Sequence, residues 1–140
     1  MKRVLLILAL SILSACNGGN PGGLDAHRGQ WVLVNYWAQW CKPCVKEIPE
    51  LNELDQSRDD ITVLGVNYDG LTGAELETQL TELGVKFANL EQDPAAALGV
   101  PRPVVLPTTF VLNPDGELVN TLVGPQTLQS LSEAVRAAGG

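Results

Sequence analysis

The junction between residues 31 and 54 constrains this chain most. Residues 31–36 (Trp-Val-Leu-Val-Asn-Tyr) are a short, apolar, β-branched run of the kind that forms a central strand. The run leads into Trp40-Cys41-Lys42-Pro43-Cys44. Beyond it, Val45, Ile48, Leu51 and Leu54 recur at three-residue intervals, with acids and amides between them. That spacing predicts an amphipathic helix, and Pro49 predicts a kink in it. A strand giving way to a helix at a pair of cysteines points to an α/β fold with the chemistry at the helix N-terminus.

The remaining pattern fits. Residues 61–68 read as a second apolar strand. Leu76, Leu80 and Leu83 mark a second helix, closed by Gly84. Residues 85–90 predict a short strand, and 94–98 a short helix that opens on proline and ends at glycine. Residues 108–112 and 117–123 flank Asn113-Pro114-Asp115-Gly116, a strong turn signal, and predict a hairpin. Leu128, Leu131 and Val135 give a final amphipathic helix. Alternating strands and helices predict a three-layer α/β domain with parallel neighbours at its centre. The closing hairpin adds antiparallel neighbours, so the sheet is expected to be mixed. No internal repeat is present.

The first fifteen residues read as a secretion signal. Lys2 and Arg3 precede an apolar stretch at 4–13, too short to span a bilayer of about 30 Å as a helix. Leu13-Ser14-Ala15-Cys16 follows and resembles the bacterial lipobox. The resemblance implies a lipid on the Cys16 sulfur and cleavage before it. Loss of Lys2 and Arg3, with no acid removed, takes the formal charge from −7 to −9. So acidic a domain is a poor nucleic-acid binder. Its membrane contact is expected to rest on acyl chains rather than on attraction to anionic lipid. Asn-Gly-Gly-Asn-Pro-Gly-Gly at 17–23 reads as a flexible tether. The expected organisation is a signal peptide at 1–15, lipidated Cys16 and tether at 16–29, and a folded domain at 30–140. Extended, the tether reaches at most about 50 Å.

Assigning Cys16 to lipid leaves one cysteine pair of the three cysteines. An exported location permits a disulfide. The Cys41–Cys44 loop is too small for the bond to constrain the unfolded chain much, which favours a chemical role over a structural one. Disulfide exchange needs a nucleophilic thiolate, a second thiol within reach and an attack path. A sulfur at a helix N-terminus meets the positive end of the macrodipole and unpaired N–H groups, which favour thiolate. Lys42 adds a nearby cation. Cys41 is therefore the expected nucleophile and Cys44, one turn inward, the resolving thiol. Pro43 suits the first helical turn because it lacks an N–H. Structural zinc wants four ligands, and the only histidine is His27, in the tether region. No metal is expected.

Residues 32–44 resemble the thioredoxin active-site segment. Val45-Lys46-Glu47-Ile48-Pro49-Glu50-Leu51 is similar to the TlpA/ResA-like branch of membrane-tethered bacterial thioredoxins, as are Leu106-Pro107-Thr108-Thr109-Phe110 and the turn at 113–116. The similarity spans about residues 30–137. It implies a thioredoxin fold with helices flanking the mixed sheet, and a thiol–disulfide oxidoreductase that needs no cofactor beyond the Cys41–Cys44 disulfide. It implies that Pro107 is a cis-proline facing that disulfide and that Trp40 covers it. Pro101 and Pro103 are rivals for the cis position. Many thioredoxins carry a buried, proton-accepting Asp where this chain has Asn35, which cannot titrate. Glu47 and Asp69 are the two candidates for that task; each also reads as ordinary, a solvated helix residue and a turn residue.

The expected partners are exported proteins with thiols or disulfides and a membrane dithiol donor of the DsbD type, with the chain a monomer. Disulfide donation would use the same residues. A Cu(I)-binding chaperone is the alternative from another class. Copper chaperones of related fold, however, place three residues between their cysteines and add a distant histidine. A peroxidatic Pro-x-x-x-Thr-x-x-Cys pattern is absent. The expected location is outside the cytoplasm, lipid-anchored to a bacterial membrane, inner or outer. Asn17 after the lipid cysteine leans towards the outer membrane of a Gram-negative cell.

Overall fold

The computed structural model describes residues 23–140. The expected signal peptide, Cys16 and the tether as far as residue 22 lie outside the described residues. In chain order the elements are β1 (Trp31–Trp37), α1 (Lys42–Ser57), β2 (Ile61–Asn67), α2 (Gly73–Leu83), β3 (Ala88–Asn89), β4 (Thr108–Leu112), β5 (Leu118–Val123) and α3 (Leu128–Ala137). The strands form one sheet in the order β3-β2-β1-β4-β5. β1 pairs parallel with β2 and β2 with β3; β4 runs antiparallel to both β1 and β5. The expected mixed sheet of the thioredoxin fold is what the chain forms.

β1 is central and buried along its whole length, which explains its unbroken apolar run. Its side chains alternate. Trp31 and Leu33 pack with Ile48, Leu51 and Leu54 of α1 and with Leu131 and Val135 of α3. Val32, Val34 and Tyr36 face the other way, with Leu64, Phe110 and Leu112. Each such side chain contributes roughly 1.5–3 kcal/mol by leaving water. α2 places Leu76, Leu80 and Leu83 around Trp37 and the two cysteines. Gly84 closes it in the left-handed region (φ 68°), where a side chain would be strained.

Four details differ from the sequence expectation. Ordered packing starts ahead of residue 30. Leu24–His27 is a 3-10 turn with Leu24 buried, and Gly29 N–H donates to Pro114 C=O at 2.9 Å. Leu24 is the first apolar residue after the glycine-rich stretch and takes a place in the core. Residues 94–98 form one closed turn rather than a helix, with Leu98 N–H donating to Pro94 C=O at 3.0 Å. The face of the sheet away from α1 and α3 is thus covered by irregular segments carrying Leu24, Ala95, Leu98, Val100 and Leu106. β3 is only two residues long. α1 continues through Pro49, which lies on its exposed side, where water can meet the carbonyl that loses its intrahelical donor. Among the described residues no helix is long and apolar enough to cross a membrane.

Candidate active site

β1 ends at Trp37, and a short turn returns the chain to Cys41, whose N–H donates to Ala38 C=O at 3.1 Å. Cys41 caps α1 from an extended conformation (φ −86°, ψ 95°). Its Sγ accepts from Cys44 N–H at 3.3 Å, and its carbonyl accepts the first helical bond from Val45 at 3.1 Å. The cap position, normally filled by a side-chain oxygen, is thus held by sulfur. Cys41 and Cys44 form a disulfide, with an S–S distance of 2.06 Å and Cα atoms 5.3 Å apart. Cys41 is 5% exposed and Cys44 1%. Cys41 is therefore the more open of the two residues to an incoming thiolate. Lys42 and Pro43 are exposed beside it.

The sulfurs sit in an apolar collar of Trp37, Ala38 and Leu76, with Leu106 packed against it. The Leu106–Pro107 bond is the one cis peptide among the described residues; Pro101 and Pro103 are trans. Pro107 is buried, and its carbonyl accepts from Gly124 N–H at 2.8 Å. Trp40 is 63% exposed. Its Nε1–H donates to the Asp69 carboxylate at 3.0 and 3.1 Å, and its ring meets Tyr68 edge-on at 6.5 Å. Asp69, a candidate proton acceptor, is thus exposed and engaged with the indole.

Glu47 is placed differently. The buried stripe of α1 runs Cys44, Glu47, Ile48, Leu51 and Leu54, so it begins at the cysteine and includes the carboxylate. Glu47 is 2% exposed, which overturns its reading as a solvated helix residue. The i,i+3 spacing stacks it one turn along from Cys44 on the same side of the helix. Glu47 Oε2 accepts from Asn35 Nδ2 at 3.1 Å, and Oε1 from Gln126 N–H at 2.9 Å. Asn35 also donates to Thr109 Oγ1 at 2.9 Å, its direct partner in the β1–β4 ladder. Burial pushes the Glu47 carboxyl up to about 7, although the bonds from Gln126 and Asn35 oppose that rise. A carboxyl poised there can take a proton near neutral pH.

Thr109 and Gln126 were not legible as site residues. Thr109 looks like any strand threonine, and Gln126 contributes through its backbone, which leaves no mark in a sequence. Glu50, one turn beyond Glu47, accepts from Leu128 N–H at 2.7 Å. Glu47 and Glu50 thus both meet the chain where it enters α3. Among the described residues no group of three or more His, Cys, Asp or Glu side chains converges.

Known proteins resemble this chain in sequence and in fold. The chain is 34% identical over 112 residues to the thiol:disulfide interchange protein HelX of Rhodobacter capsulatus, covering 79% of this chain and 62% of that protein. It is 30% identical to the thiol-disulfide oxidoreductase ResA of Bacillus anthracis, covering 74% and 61%. The chain therefore spans about three-fifths of the length of these relatives. Among solved structures it is similar to a secreted thiol-disulfide isomerase from Corynebacterium glutamicum (TM-score 0.70, 25% identity, covering 82% and 74%). It is also similar to a DsbF homologue from Corynebacterium diphtheriae (TM-score 0.69, 26% identity, covering 81% and 75%). The sequence model of the AhpC/TSA family matches residues 11–121. That match covers well over half of the chain and takes in both cysteines and the cis-proline, so the chain belongs to the AhpC/TSA family.

Proposed function

We propose that this chain is a thiol–disulfide oxidoreductase that reduces disulfides of exported proteins. The observation that carries the reading is the placement of Cys41 Sγ as the cap of α1, bonded to Cys44 one turn inside. In the reduced protein, the Cys41 thiolate attacks one sulfur of a partner disulfide. A Cys41–partner bond forms, and the partner's other sulfur leaves as thiolate. Cys44 then gives its proton to Glu47 and attacks Cys41 Sγ. The Cys41–Cys44 bond re-forms, the partner leaves fully reduced, and two electrons have passed to it. Asn35, Thr109 and Gln126 hold Glu47 for that step, and the cis-Pro107 strand and Trp40 border the approach. Lys42 and Pro43 shape the first turn of α1.

The electrons come from a membrane dithiol protein of the DsbD type. The chain works as a monomer outside the cytoplasm, after removal of 1–15, tethered by lipid on Cys16. The secretion-like leader and the lipobox-like Leu13-Ser14-Ala15-Cys16 support that placement. The test is the reduction potential of the mature chain in glutathione and dithiothreitol buffers. A value near or below about −250 mV fits a reductase that needs a donor; one near about −120 mV makes it a disulfide donor instead.

A further inference from the structure

One guanidinium makes three contacts with two residues near the redox centre. Arg102 Nε donates to Asp93 at 2.7 Å, Arg102 Nη2 donates to Tyr68 C=O, and the guanidinium lies 3.8 Å over the Tyr68 ring. An exposed ion pair alone would hold little. Here the pair shares its plane with a stacked ring and a backbone acceptor, and the flat, five-donor fork of arginine is what meets all three together. Asp93 gives the fork a fixed seat. It accepts from Tyr36 OH at 2.7 Å and from Ala95 N–H at 2.9 Å, and Tyr36 is wholly buried on β1.

Tyr68 carries this hold towards the sulfurs. It directly follows β2, and its N–H donates to Trp37 C=O at 2.7 Å. Its side chain packs against both the sulfur collar and the apolar cluster that holds Tyr36 and Phe110. Among the described residues, Leu106, which opens the cis bond, is the only other partly buried apolar residue that packs against both. Tyr68 OH also donates to Pro103 C=O at 3.0 Å, which ties the segment before Leu106 to the same ring.

The carbonyl that Arg102 engages belongs to the peptide group joining Tyr68 to Asp69. Those two residues are the ones that hold Trp40: Asp69 accepts from the indole Nε1–H, and Tyr68 meets the ring edge-on. Trp40 directly precedes Cys41 and is 63% exposed, so these two contacts weigh heavily in where its ring lies. We propose that Arg102 is a positioning residue for disulfide exchange: it fixes the Tyr68–Asp69 peptide, and with it the Trp40 ring that borders the approach to Cys41. The proposal rests on the disulfide-exchange reading and adds a residue that acts through Trp40 rather than on the sulfurs.

Single turnovers of the reduced mature chain against excess insulin give a limiting rate and a half-saturating concentration. Arg102→Met keeps the aliphatic stem and removes the guanidinium. It should lower the limiting rate about tenfold with little change in half-saturation, as misplacement at a reacting centre does. The Trp40 indole N–H of 15N-labelled protein, assigned by its absence in Trp40→Ala, should fall from an order parameter of about 0.85 to below about 0.6. In a Trp40→Ala background Arg102→Met should cost almost nothing more, because the two residues act through one series of contacts. Arg102→Lys keeps the charge beside Asp93 and covers the case in which Arg102→Met unfolds; it should show the same losses of rate and order. Losses that add in the Trp40→Ala background, an unchanged indole order parameter, or a lysine variant that behaves as wild type each overturn the assignment while leaving disulfide exchange intact. A wild-type chain that reduces no insulin overturns the redox reading, and this one with it.

Discussion

Asn35 donates a hydrogen bond to the buried carboxylate of Glu47 at 3.1 Å, joining the central strand to the helix that carries both cysteines. Where an acid would place a second charge, the amide supplies an N–H. Glu47 is thereby the one titratable group in this cluster, and burial raises it from the ordinary 4.5 to about 7.

The first prediction concerns stability. A carboxyl raised in the folded state binds its proton more tightly there than in the unfolded chain. Its stabilising contribution is full below about pH 4.5 and is lost as pH rises through about 7. The loss amounts to about 3 kcal/mol. Urea melts of the oxidised protein at pH 5 and pH 8.5 should show wild type losing that much relative to Glu47→Gln. Parallel pH profiles for the two proteins would mean that Glu47 is not the perturbed group.

The second concerns rate. If Glu47 takes the Cys44 proton, Glu47→Gln should slow release from the mixed disulfide by about 100-fold. It should also abolish a rise in that step near pH 7. Rapid-quench measurement of the mixed disulfide reads both, and a slow variant that keeps the rise would assign the proton to another group.

Asn35→Asp places a second carboxyl against Glu47. The pair cannot hold two charges at close range in a buried site, so its upper apparent pKa should climb above 7. Stability should fall between pH 5 and pH 8.5 by about 1–3 kcal/mol more than in wild type. The same urea melts check it; a slope equal to wild type would show that the two side chains are not coupled.

Gly65 faces a tight corner of the sheet. A Cβ there would lie 2.2 Å from Asn89 Oδ1 and 2.9 Å from Trp37 Nε1, the two atoms that share a 2.8 Å hydrogen bond. Gly65→Ala should therefore cost about 1–3 kcal/mol. Because Trp37 belongs to the collar around the sulfurs, the reduction potential should shift as well. Chemical denaturation and redox titration measure the two effects, and an alanine variant of native stability would contradict the packing.

Much of this was visible beforehand because the burial pattern and the turn chemistry agree. The run at 31–36, the leucines at 76, 80 and 83, and the turn at 113–116 each select one local structure. Cys41 and Cys44 were evident from their spacing at a strand–helix junction. Glu47 was ambiguous because its neighbour Ile48 satisfies the same apolar stripe; only packing against β1 and the entry to α3 decides that 47 is inside too. The bond from Trp40 to Asp69 was not legible, because a turn aspartate next to a strand gives no hint of it. The segment at 94–98 makes a single turn because Gly99, in the left-handed region (φ 71°), ends it directly, and prolines at 101 and 103 follow.

The central claim, that Cys41 attacks and Cys44 resolves, is tested most directly by trapping. Reduced Cys44→Ser and Cys41→Ser variants are mixed with a protein disulfide and analysed by non-reducing gel and mass spectrometry. The account predicts that Cys44→Ser accumulates a mixed disulfide on Cys41, while Cys41→Ser accumulates little or none. Trapping on Cys44 in the Cys41→Ser variant, with none in its counterpart, would contradict it.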